Sequence, residues 1–93
     1  MAKILLVTGA SSGIGAAIAQ MAAESGYWVC INYRTSEQKA EALLCSLRNY
    51  DVRAIAIKAD ISTQAGVLHL FEQVDTKLGT ITHLVNNAGV IAP

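Results

Sequence analysis

Charge is scarce in this 93-residue chain. Asp, Glu, Lys and Arg together make up 15% of it, against about 25% in an ordinary soluble domain. Seven basic residues balance seven acidic ones, so the net charge is zero. Without a positive surplus there is no chain-wide electrostatic footprint for nucleic acid or for an anionic membrane surface. Cysteine is scarce as well. Cys30 and Cys45 are too few for a disulfide scaffold, and their spacing matches no metal-ligand pattern, so no metal site is expected. Cys30 lies in an apolar run and reads as a small buried filler. No apolar run approaches the roughly 18 residues that a membrane helix needs. The start, Met-Ala-Lys-Ile-Leu-Leu-Val, carries one positive charge and breaks at Thr8-Gly9, without the long apolar region and cleavage site of a secretory signal. A cytoplasmic protein is expected.

Hydrophobic residues, in contrast, make up 53% of the chain. That excludes disorder, which needs low hydrophobicity and high charge. The length allows one domain at most. A chain of this size can bury roughly 64% of its unfolded surface, which leaves a large area to be covered by polar groups. The chain is therefore too apolar for its length as a self-contained domain.

The apolar periodicity alternates between two types. Ile4-Leu5-Leu6-Val7 is a short continuous run ended by Thr8-Gly9, as in a strand buried on both faces. Residues 13–25 read as a helix, with Ile14, Ala17, Ile18 and Met21 at spacings of three and four and Ser25-Gly26 as the stop. Trp28 to Tyr33, rich in aromatic and β-branched residues, reads as the second strand. Ser36 is the expected N-cap of a helix over 37–49, with Ala40, Leu43, Leu44 and Leu47 on one face. Val52 to Ala59 is the third strand. Residues 63–78 form the third helix, with Val67, Leu70, Phe71, Val74 and Leu78 inward and Gly79 as the stop. Ile81 to Val85 is the fourth strand. This β-α-β-α-β-α-β alternation predicts an α/β fold with a parallel sheet. Right-handed crossovers predict the strand order 3-2-1-4, a partial Rossmann fold, with the first two helices on one face and the third on the other. Strand four is left as an apolar edge.

The segment between the first strand and the first helix is Thr8-Gly9-Ala10-Ser11-Ser12-Gly13-Ile14-Gly15. A glycine-rich turn there brings backbone N–H groups up to a pyrophosphate, and the helix N-terminus adds favourable dipole charge. Gly9 suits the tight turn, Gly13 close approach to phosphate, and Gly15 close packing of helix on strand. Ser11 and Ser12 offer hydroxyl donors. An NAD-selective site places Asp or Glu at the end of the second strand to bond the ribose 2′-OH. Tyr33 stands there instead, followed by Arg34, Thr35 and Ser36. A guanidinium with neighbouring hydroxyls suits an anionic 2′-phosphate, so NADP(H) is expected over NAD(H).

The spacing T-G-x-x-x-G-x-G resembles the short-chain dehydrogenase/reductase family. Asn86-Asn87-Ala88-Gly89 matches that family's N-N-A-G motif, and Asp60, followed by Ile61, matches its position for an Asp that meets adenine. The resemblance spans the whole chain and its closest flavour is that of bacterial 3-oxoacyl-carrier-protein reductases and glucose dehydrogenase-like members. It implies cofactor contacts from the glycine segment including Ile14, from Asp60 and the backbone of Ile61, and from Asn87, Ala88 and Gly89 along the ribose, with Asn86 tying strand four to adjacent backbone. Ser12 stands where many NADP-binding members carry a basic residue. The family's chemistry comes from a Ser and a Tyr-x-x-x-Lys further along the chain. Four residues after Tyr27, Tyr33 and Tyr50 stand Ile31, Glu37 and Ala54, so no residue here takes a catalytic role. Three readings remain open at this point: residues 1–93 are the N-terminal dinucleotide-binding portion of a reductase, inactive by itself; they are a free-standing nucleotide-binding or protein-interaction module; or they belong to another Rossmann-like enzyme such as a methyltransferase. Exposed apolar surface and self-association are expected.

Overall fold

The computed structural model describes residues 2–11 and 13–87. Its elements run β1 (Ile4–Thr8), α1 (Gly13–Glu24), β2 (Trp28–Tyr33), α2 (Glu37–Leu47), β3 (Ala54–Lys58), α3 (Gln64–Lys77) and β4 (His83–Asn86). The four strands form one sheet in the order β3-β2-β1-β4, and every pairing is parallel. The fold is α/β, a partial Rossmann fold with the strand order expected.

Two apolar layers hold the sheet. On one face Leu5, Val7, Val29 and Ile31 pack against Ala19 and Ala23 of α1 and against Ala40, Leu43, Leu44 and Leu47 of α2. On the other, Ile4, Leu6, Cys30 and Ile57 pack against Leu70, Val74 and Leu78. β1 is buried at all five positions, which is why its sequence is continuously apolar rather than alternating. Among the described residues no helix is long and apolar enough to cross a membrane.

Four local expectations are corrected. The buried stripe of α1 is Gly15, Ala19 and Ala23, whereas Ile14 is 72% and Met21 67% exposed. The helix lies so close to the sheet that only small residues fit beneath it. Met21 and Ile18 instead line an open groove between α1 and β4, together with Tyr27, His83 and Leu84. On α3, Leu70 and Val74 are buried as expected, but Val67 and Phe71 are exposed because they point toward the uncovered β4 side, where Phe71 and Leu84 line one recess. β4 begins at His83 rather than Ile81. The Thr82 hydroxyl accepts from Ile4 N at 2.8 Å and donates to Ile4 O at 3.1 Å, beside the main-chain bond from Thr82 N to Ile4 O at 2.9 Å; a side chain thus takes the Ile4 N–H, and regular pairing starts with Leu5 opposite His83. Finally, Ser36 stands at the N-cap of α2 but its side chain makes no capping bond. On α3, by contrast, the Thr63 hydroxyl does cap, accepting from Gly66 N at 3.0 Å.

Candidate functional site at the strand ends

The C-terminal ends of a parallel sheet expose backbone and loops, and the strand order reverses between β1 and β4, where such folds open a crevice for ligands. The glycine segment leaves β1 at that point. Gly9 and Gly13 have φ of +61° and +67°, a left-handed conformation that side chains disfavour. A Cβ on Gly13 would meet nothing within 4 Å, so the backbone there faces open space. α1 starts at this glycine and carries no acidic residue in its first turn, leaving the positive end of its dipole unneutralised. Gly15 is the opposite case. Its missing Cβ would fall 2.8 Å from Gly9 O and 2.6 Å from Asn87 Nδ2.

Asn86 and Asn87 close the far side of the loop. The Thr8 hydroxyl donates to Asn86 Oδ1 at 3.0 Å and accepts from Asn87 N at 2.9 Å. The Asn87 amide donates to Gly9 O at 3.0 Å. Both asparagines therefore help to fasten the end of β4. Asn87 ties strand four to neighbouring backbone, while Asn86 bonds the Thr8 side chain. The cause is strand pleating: Asn86 lies directly opposite Thr8 in the ladder, and Asn87, one residue on, reaches the turn.

The second part of the site lies at the ends of β2 and β3. Gly9, Asn32, Arg34, Asp60, Ile61 and Ser62 line one cleft. Arg34 approaches Asp60 Oδ2 at 3.8 Å, with side chains 73% and 42% exposed. The other carboxylate oxygen, Oδ1, accepts from Ser62 N at 3.0 Å and Ser62 Oγ at 2.6 Å. These Ser62 bonds, and then the nearby Arg34 charge, hold the Asp60 carboxyl below its ordinary value. Ile61 packs its side chain against the α3-side core. Tyr33, at the position where a carboxylate would favour NAD, is buried. Burial first, then Glu37 and Glu41, push its phenol pKa up, and its ring packs in the core beneath α1 and α2.

The structure thus brings Gly9, Ser11, Gly13, Ile14, Gly15, Arg34, Asp60, Ile61 and Asn87 to one end of the sheet. Ile14 is on the exposed face of the first turn of α1. Ser12, Ala88 and Gly89 lie outside the described residues. Three contributors went unread in the sequence. Asn32 is almost fully buried; its side-chain amide donates to Ile57 O and Ala59 O, both at 3.2 Å, and its main-chain carbonyl accepts from Ala10 N at 3.0 Å. It binds the ends of β2 and β3 to the glycine loop, and a polar amide inside an apolar strand was its only signal. Ser62 locks Asp60. Gly66 lets the first turn of α3 lie on the Asp60 backbone, where a Cβ would overlap the Asp60 carbonyl; a glycine inside a helical pattern was the signal there.

These residues fit a dinucleotide. The open cradle at Gly13 and the start of α1, with no acidic residue in its first turn, suit a pyrophosphate, and the Asp60–Arg34 cleft suits an adenosine moiety. Among the described residues no group of three or more His, Cys, Asp or Glu is placed to hold a metal ion. A surface depression lined by Leu68, Phe71, Asp75 and Ile81 lies at the start of β4, away from this end.

Comparison with known proteins agrees with the geometry. The family description "short chain dehydrogenase" matches residues 3–93. The chain is 42% identical over 90 residues to a 3-oxoacyl-acyl-carrier-protein reductase of Staphylococcus epidermidis, covering 97% of this chain and 37% of that protein. L-sorbose reductase from Gluconobacter frateurii, solved with NADPH and L-sorbose, is 34% identical with a TM-score of 0.88, over 98% of this chain and 35% of its own. A blue fluorescent protein from a metagenomic library, solved with NADPH, is 40% identical with a TM-score of 0.90, over 97% and 37%. The chain therefore spans little more than a third of the length of these relatives. With its glycine loop, its strand order and a family match over residues 3–93, the chain belongs to the short-chain dehydrogenase/reductase family.

Proposed function

We propose that this chain is the N-terminal, NADP(H)-binding portion of a single short-chain dehydrogenase/reductase domain. The observation that carries the reading is Arg34 at the cleft where an NAD-selective protein would present a carboxylate, with neutral Tyr33 just before it. Gly9, Ser11, Ser12, Gly13, Ile14 and Gly15 would hold the pyrophosphate, Asp60 and Ile61 the adenine, Arg34 the 2′-phosphate, and Asn87, Ala88 and Gly89 the ribose. The NADPH present in two similar structures supports the choice of cofactor. Bound NADP(H) supplies a hydride donor or acceptor for carbonyl reduction or alcohol oxidation, the chemistry of the family. Within these residues none is assigned a proton-transfer role, so the polypeptide binds cofactor without turning over a ketone.

The test is Arg34→Asp. A carboxylate there repels a 2′-phosphate and accepts a bond from a free 2′-OH, so affinity for NADPH falls while affinity for NADH holds or rises. Unchanged NADPH affinity sinks the assignment. A second reading, a free-standing nucleotide-binding or protein-interaction module, is favoured by one observation: β4 is an exposed edge flanked by Leu84 and Phe71. A stable monomeric species with an unsaturated edge that captures one defined partner would support it.

A further inference from the structure

We propose that Asp60 tempers the grip of Arg34 on a ribose 2′-phosphate, the two forming a charge latch that a phosphorylated ligand must open. This rests on the reading that the cleft receives the 2′-phosphate end of a dinucleotide. Arg34 follows the end of β2 and Asp60 follows the end of β3. Asn32, two residues before Arg34, grips Ala59 O just before Asp60, which fixes the two loops side by side. Ser62 occupies Oδ1 of Asp60, and Oδ2 is the oxygen nearest Arg34, at 3.8 Å. That separation is an ion pair but too long for a hydrogen bond. The guanidinium therefore keeps its donors for another acceptor.

A phosphate taking those donors comes to rest next to a carboxylate held ionised by Ser62. Two like charges then share one guanidinium. The pair is exposed and so weak enough to be displaced, but its carboxylate remains to oppose the incoming phosphate. Asp60 consequently narrows the preference for a phosphorylated over a free 2′-OH. It does so as a positioning and screening residue, separately from any contact it makes with the base.

The test is calorimetric titration of the 93-residue chain at low salt with two probes, adenosine 2′,5′-bisphosphate and adenosine 5′-monophosphate. Both carry the same base, so any loss of a base contact cancels in the ratio of their affinities. Asp60→Asn is expected to raise that ratio about threefold or more, the size of a like-charge repulsion a few ångströms away in a solvent-rich setting. A ratio that stays the same or falls while the wild type still prefers the bisphosphate overturns the latch alone. If the wild type shows no preference, or Arg34→Gln keeps it, the underlying cofactor reading fails and the latch with it. A wild-type measurement guards against a misfolded variant. The Asp60 carboxyl, followed by NMR, should titrate at higher pH when saturated with the bisphosphate than with the monophosphate, because the phosphate draws Arg34 away and adds a like charge. Equal midpoints contradict the proposal.

Discussion

The Cβ that Gly15 lacks would lie 2.6 Å from the side-chain nitrogen of Asn87, so helix α1 and the end of β4 meet at a point with room for hydrogen only. The Asn87 amide could swing aside, but Gly9 O at 2.8 Å and Ala10 Cα at 3.0 Å are backbone. Gly15→Ala is therefore expected to cost about 1–3 kcal/mol, the range for overpacking a tight contact, measured by urea unfolding. It should also break the Asn87 to Gly9 bond, pushing the glycine loop outward and weakening binding of adenine nucleotides. An alanine variant with unchanged stability and affinity would show that the helix can withdraw freely.

Asp60 makes the acid limb of stability informative. Its carboxyl is held below the ordinary value of 3.8, first by Ser62 and only then by Arg34. A depressed folded-state pKa means that the unfolded chain binds the proton first as pH falls. The stabilisation is complete above pH 3.8 and disappears as pH drops below it through the folded-state value. Ser62→Ala should raise the Asp60 midpoint, observed by carboxyl NMR, more than Arg34→Gln does. The reverse order would mean that the ion pair, not the turn, holds the charge.

The two thiols should behave as opposites. Cys30 is buried, with its pKa pushed up to about 12 by desolvation, while Cys45 is exposed on α2. In native protein at neutral pH a thiol reagent should modify Cys45 alone, with Cys30 reacting only at the rate of unfolding. Because the Cys30 pKa is raised above the reference value of 9.0, stability is unaffected below pH 9.0 and declines as pH rises toward 12. Rapid modification of both cysteines would contradict the burial of β2.

The uncovered side of β4 should be detectable. Leu84 is 54% and Phe71 44% exposed, and Val67, Leu68 and Met21 are exposed as well. Such a surface binds apolar dyes and promotes association. The chain is expected to enhance anilinonaphthalene sulfonate fluorescence at neutral pH and to sediment faster as concentration rises. Leu84→Ser with Phe71→Ser should reduce both effects. A monomer without dye binding would show that the face is covered.

Much of the architecture was legible before any coordinates. Continuous apolar strands alternating with helical stripes lead to the order 3-2-1-4 through right-handed crossovers, given a Rossmann pattern in which the first three strands step in one direction, and the T-G-x-x-x-G-x-G spacing points to the loop. What was not legible depends on tertiary distance. The stripe of Ile14, Ala17, Ile18 and Met21 has helical spacing, but the close approach at Gly15 decides that Ala19 and Ala23 face the sheet instead. The start of β4 was displaced by a hydroxyl, because Thr82 bonds Ile4 across 78 residues. Asp60 and Arg34 were each singled out, yet nothing in their spacing shows that they touch. That contact follows from the Asn32 amide, whose partners lie 25 and 27 residues away.

The most direct test of the account is a calorimetric titration of the 93-residue chain with NADPH and, separately, NADH. The account predicts weak binding of NADPH, micromolar or poorer, tighter than that of NADH, with the difference abolished in Arg34→Asp. No binding of NADPH, or equal affinity for the two cofactors, would contradict it.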